Sequence, residues 1–95
     1  MVANRPIVIL GGGGHARVVA DLIRALDIAI YGVVDPDEDS VSLRLPIEKF
    51  LSSSDDSVLD LDPNKIHLAI GVGSRLGSNA RRHLFDKFSA AGFQF

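Results

Sequence analysis

Two short glycine-bearing stretches hold the residues of this chain best suited to chemistry. The first is Gly11-Gly12-Gly13-Gly14-His15-Ala16, in which Gly11, Gly13 and Ala16 fit the spacing G-x-G-x-x-G/A. Glycines there permit a tight turn and let the backbone approach a phosphate closely. A helix that follows offers unpaired N–H groups and the positive end of its dipole to the anion. Some strand-to-helix turns need glycine only for tight packing, but four in a row exceed that need and favour phosphate binding. The second stretch is Gly71-Val72-Gly73-Ser74-Arg75. The planar fork of Arg75 suits a phosphate in the same crevice, and an arginine simply facing solvent from a first helical turn is the equal alternative.

Asp35 lies 24 positions after Gly11, at the expected end of a second strand. An acidic side chain there hydrogen-bonds a ribose hydroxyl, or else is an ordinary turn aspartate before Pro36. His15, in the first helical turn, either donates to a phosphate or sugar or caps the helix and packs on the loop. Without a second catalytic partner at a known distance, no general-base role is assigned to it. The series Asp35, Asp37, Asp39 fails as a calcium loop, because Ser40 stands where glycine is required and Pro46 where the bidentate glutamate is required. The three histidines show no metal-ligand spacing, so no metal site is assigned. The chain has no cysteine, which excludes disulfides and thiolate catalysis. Nor is there a Ser-His-Asp order, a catalytic carboxylate pair or a P-loop lysine. The residues describe a binding site and no catalytic group.

The elements that must position these residues alternate between strand and helix. Ile7-Val8-Ile9-Leu10 is an aliphatic run suited to a strand buried on both faces. A helix over residues 14–26 follows, with Val18, Val19, Leu22, Ile23 and Leu26 as its apolar face and Arg17 and Asp21 paired on the other. A strand over 28–34 ends at Asp35-Pro36. Residues 35–40 read as an exposed acidic loop, and the polar patch over 52–57 caps a short helix over Val58, Leu59 and Leu61. A third strand spans 65–70. A long helix then covers 76–91, with Leu76, Ala80, Leu84, Phe85, Phe88 and Ala91 as its core face and Gly92 as its stop. Residues 93–95 begin a last strand. Such alternation implies a parallel sheet.

Ninety-five residues with 46% hydrophobic content make one domain, 1–95, with enough apolar surface for a core. A net charge of −2 argues against a general nucleic-acid binder, which carries a basic stripe. There is no secretory signal and no apolar run long enough to span a membrane, so a cytoplasmic protein is expected.

Residues 7–19, Ile-Val-Ile-Leu-Gly-Gly-Gly-Gly-His-Ala-Arg-Val-Val, resemble the opening of the PglD/NeuD-type bacterial sugar acyltransferases. Gly32-Val33-Val34-Asp35 is similar to the second strand of that family, and Leu68-Ala69-Ile70-Gly71 with Arg75 or Arg81 to a third block. Gly92-Phe93-Gln94-Phe95 resembles the point where the family's small domain finishes. The chain departs from the family at Pro36, where a second acidic residue is common, and at Glu48-Lys49, where an apolar-Gly step is frequent.

The resemblance implies a small Rossmann-like three-layer domain with a four-stranded parallel sheet that binds a UDP-sugar. It also implies a parent enzyme in which a left-handed β-helix of hexapeptide repeats, absent here, binds acetyl-CoA, carries the histidine base and forms a trimer. Carried over by position, Gly11, Gly12, Gly13, Gly14 and His15 lie by the phosphates, Asp35 approaches the uridine, and Gly71 and Gly73 line the sugar side. On that view this chain binds no cofactor, is inactive alone, and is a monomer or a weak dimer. The rivals are a fragment of an NAD-dependent oxidoreductase, for which the chain is short, and a non-enzymatic regulatory or assembly module.

Overall fold

The computed structural model describes residues 5–12, 14–45, 47–72 and 79–95. Gly13, Gly73 and Arg75, and with them Ser74 and Leu76, lie outside the described residues.

Ile7–Leu10 forms β1, and Val8, Ile9 and Leu10 are fully buried in it. Its side chains alternate between two cores. Val8 and Leu10 join Val34, Val58, Ile66, Leu68, Phe88 and Phe93 on one face, and Ile9 joins Ala16, Ala20, Ile23, Val33, Val41 and Leu45 on the other. This is why the run is uniformly aliphatic: a central parallel strand has no solvent face. The chain continues through α1 (Gly14–Ala25), β2 (Ile30–Val34), α2 (Glu38–Arg44), β3 (Phe50–Ser52), a 3-10 helix (Asp55–Asp60), β4 (His67–Ile70) and α3 (Ala80–Ala90). All pairings are parallel, in the order β3-β2-β1-β4, with Ile9 opposite Val33 on one side and Ala69 on the other. Helices α1 and α2 cover one face, α3 and the 3-10 helix the other, which gives the three-layer Rossmann-like domain.

Among the described residues four strands are present, but the fourth is not the expected one. Phe50–Ser52 adds to the edge beside β2, while residues 93–95 form no strand. Phe93 is buried in the core, and the Leu68 N–H donates to the Gln94 carbonyl at 2.8 Å, a single bond on the outer edge of β4. The acidic loop is also shorter than expected, because Glu38 starts α2 and Val41 is driven into the core.

The faces of α1 and α3 differ from the helical spacing of their large residues. In α1 the buried stripe is Ala16, Ala20 and Ile23, whereas Val18 and Leu22, and Leu26 just past its end, are more than 60% exposed. Small residues at the sheet let the helix lie close to it, and the larger aliphatic ones are pushed to the flank. In α3 only Phe88 is buried, with Leu84 half-buried, while Ala80 and Ala91 are exposed. Phe85 is exposed as well, against Phe95 at a ring separation of 5.0 Å. The expected pair Arg17–Asp21 is formed at 3.4 Å.

Both long helices end in the same motif. After α3, Gly92 adopts φ 93°, and the Phe93 and Gly92 N–H groups donate to the Phe88 and Ser89 carbonyls. After α1 the equivalent bonds run from Ile28 to Ile23 and from Asp27 to Arg24, but the left-handed position is held by Asp27 at φ 59°. A Cβ in that region costs energy that glycine avoids. Asp27→Gly is therefore expected to stabilise the domain by about 0.5–1 kcal/mol, read as a rise in Tm. Among the described residues no helix is long and apolar enough to cross a membrane.

Candidate functional site

The carboxyl ends of β1, β2 and β4 meet at the first glycine turn. The Gly11 N–H donates to the Val34 carbonyl at 2.7 Å, and the Gly71 N–H donates to the Leu10 carbonyl at 2.7 Å, so both turns are extensions of the parallel ladder. Gly11 takes φ 103°, a conformation that side chains resist. The two turns pack directly on each other. A Cβ on Gly71 would stand 2.5 Å from the Gly11 carbonyl oxygen and 2.8 Å from Ala16 Cβ, and one on Gly12 would stand 2.5 Å from a Val41 methyl. Close approach thus accounts for Gly11, Gly12 and Gly71 whether or not a ligand is bound.

Beside this turn the structure opens a cavity of about 340 Å³, at the lower end of small-molecule sites. Its apolar walls are Leu10, Val34, Pro36, Val72 and Leu84. Its polar surface comes from the Gly11 backbone, from Asp35 after β2, and from Ser53, Ser54 and Asp55 at the start of the 3-10 helix. No basic side chain lines it among the described residues. Such a wall suits an aromatic or sugar ring, and the carboxylates and hydroxyls suit hydroxyl and N–H donors on that ring.

Each polar group is held by its own element. The Asp35 carboxylate accepts the Gly12 N–H at 2.7 Å and the Asp37 N–H at 2.8 Å, and its own N–H donates to the Ser52 carbonyl. Ser54 caps the 3-10 helix, with its hydroxyl accepting the Asp56 N–H at 3.3 Å. This is the cap expected of the polar patch over 52–57. Lys87 of α3 pairs with Asp55 at 3.5 Å and more closely with Asp56, tying the 3-10 helix down over the cavity. The hydrogen bond to Asp56 raises the Lys87 ammonium above the usual lysine range; burial opposes it, and the attraction of Asp55 and Asp56 adds to it.

Of the candidate residues, Gly11 and Asp35 line the cavity together. Gly12 and Gly71 are buried behind them, and His15 stands exposed in the first turn of α1, outside the lining. Gly14 is the first residue of that helix. The cavity adds Val72, from the second glycine stretch, and Pro36, Ser53, Ser54, Asp55 and Leu84, which sequence reasoning does not place in the site. The serines and Asp55 are visible in the sequence only as a helix cap, and Leu84 only as a core position. Among the described residues no cluster of His, Asp and Glu is arranged to hold a metal ion.

Comparison with known proteins gives one match. No curated protein and no solved structure matches the chain. The family model described as the PglD N-terminal domain matches residues 6–88, from the entry to β1 to the last turn of α3. That span contains the glycine turn, Asp35 and the whole cavity. The chain therefore belongs to the PglD N-terminal domain family, which sets it in the context of the sugar acetyltransferases.

Proposed function

We propose that this domain holds the nucleotide-sugar substrate, a UDP-sugar, of an acetyl-CoA-dependent sugar N- or O-acetyltransferase in surface-glycan or glycoconjugate biosynthesis. The observation that carries the reading is the cavity at the carboxyl ends of β1 and β2, where open parallel sheets take their ligands, beside a glycine turn that leads into α1. The apolar walls Leu10, Val34, Pro36 and Leu84 take the base, and Ser53, Ser54 and Asp55 accept or donate at its polar edges and at the ribose. The diphosphate lies toward the first turn of α1, where the helix dipole and the exposed His15 favour negative charge.

The domain's contribution is then binding and orientation, which supplies barrier reduction by fixing the acceptor in position. The acetyl donor and the base belong to a hexapeptide-repeat domain on this reading, so the isolated chain binds its nucleotide but transfers nothing. The same reading puts the domain in the cytoplasm, within a trimeric parent whose contacts come from the repeat domain, and makes the isolated chain a monomer or weak dimer.

Calorimetric titration with UDP and, separately, with NAD tests this. Saturable heat with UDP, lost in Leu84→Trp because the indole fills the cavity, is the expected result. Heat with NAD alone moves the domain to the oxidoreductases, and silence with both defeats the proposal for this chain.

A further inference from the structure

We propose that Asp35 is a positioning residue that shapes the glycine turn through Gly12, and that it does not hold the ribose. The inference rests on the nucleotide-sugar reading of the site. An acidic residue at the end of the second strand is the group expected to take a ribose hydroxyl. Here both of its oxygens already have backbone partners from two different segments, Gly12 at 2.7 Å and Asp37 at 2.8 Å. Each oxygen keeps a second acceptor site, but hydrogen bonds to a carboxylate are roughly twice as strong as neutral ones, so a ribose hydroxyl placed there competes with two strong bonds that already orient the group. Gly12 is buried, and the space beyond its Cα is filled by Val41 and by the Asp35 side chain itself.

Gly11 and Gly12 therefore spend both of their N–H groups on the end of β2, one on the Val34 carbonyl and the other on Asp35. Two consequences follow for a ligand. Neither amide remains for a phosphate, so the diphosphate must take its donors further on, from the start of α1. The bond from Gly12 to Asp35 also fixes where the turn hands over to α1, so its loss displaces those donors. The polar groups left for the ribose and base are those across the cavity, Ser53, Ser54 and Asp55.

The test is Asp35→Asn in this chain, probed with inorganic pyrophosphate, uridine and UDP, together with hydrogen exchange at the Gly12 amide. Asparagine has one acceptor oxygen, and the local turn to Asp37 keeps it, which leaves the Gly12 N–H facing an NH2 group. The expected result is faster Gly12 exchange, with pyrophosphate and UDP weakened by the same factor of about ten and uridine unchanged. Uridine weakened as much as UDP overturns the proposal in favour of a ribose ligand. Unchanged Gly12 exchange, or pyrophosphate bound as well or better, overturns it too. A wild-type chain that binds neither UDP nor pyrophosphate sinks the nucleotide reading and the binding role with it, while Gly12 exchange still decides whether Asp35 holds the turn. If Asp35→Asn does not fold, the wild-type Gly12 amide proton decides instead. Strong protection of that amide from exchange supports the proposal, and exchange at the rate of an unbonded amide overturns it.

Discussion

Phe88→Ala is expected to remove most of the stability of the domain. Phe88 is fully buried, sits among Val8, Leu10, Val34, Val58, Ile66, Leu68 and Phe93, and meets the Phe93 ring edge-to-face at 5.8 Å. It is the sole buried side chain of α3, so the docking of that helix depends on it. Deleting a buried phenyl group costs about 3–5 kcal/mol from lost transfer energy and the cavity left behind. A small domain has only about 5–15 kcal/mol in total. Urea unfolding should show the midpoint collapsing toward zero, with Phe85→Ala, on the exposed side of the same helix, close to wild type. A loss under about 1 kcal/mol for Phe88→Ala means that α3 is not docked through this ring.

Gly71→Ala is expected to cost about 1–3 kcal/mol and to weaken UDP binding as well, although a single methyl group is all it adds. The new Cβ would sit 2.5 Å from the Gly11 carbonyl oxygen, 2.8 Å from Ala16 Cβ and 2.9 Å from an Ile9 methyl. The nearest obstacle is backbone, and it cannot rotate away. Relief requires the Gly11 turn to move, and Gly11 lines the cavity. Ala16→Gly in the same chain should not rescue the variant, because the carbonyl remains. Unfolding and UDP titration of the single and double variants decide the matter, and stability within about 0.5 kcal/mol of wild type refutes the argument.

Much of the architecture is legible in the sequence because its signals are local. The strand Ile7–Leu10, the glycine turn and α1 follow one another along the chain, and each constrains the next. What lies between Asp35 and Asn64 is not legible in the same way. A seven-residue helix and a three-residue strand are too short to show a period, so Phe50–Ser52 is indistinguishable from a loop and residues 93–95 read as the fourth strand instead. The face of α1 misleads for another reason. Large aliphatic residues dominate any hydrophobicity pattern, but the distance between helix and sheet is set by the smallest residues at the contact, here Ala16 and Ala20.

The site divides along the same line. Gly11 and Asp35 are legible from spacing and do line the cavity. Ser53, Ser54 and Asp55 reach it only because β3 pairs with the edge of β2 and delivers the 3-10 helix there, a tertiary fact without a local signal. The hydrogen bond between Gly12 and Asp35 joins residues that are 23 positions apart and lies beyond any spacing argument.

The placement of β1 at the centre of the sheet has a consequence for how the chain acquires its structure. Ile7 pairs with Ile30 on one side and with His67 on the other, so β1 precedes both of its partners along the chain and is enclosed only once β4 has followed. Until β4 has been synthesised, one edge of an uncharged, β-prone, wholly aliphatic segment stays open to other chains. Parallel pairing across such separations is slow, because a long loop must close before any bond repays the lost entropy. During synthesis, aggregation of this domain should therefore be governed by Ile7–Leu10 and relieved by a charge placed there only at the expense of the finished core.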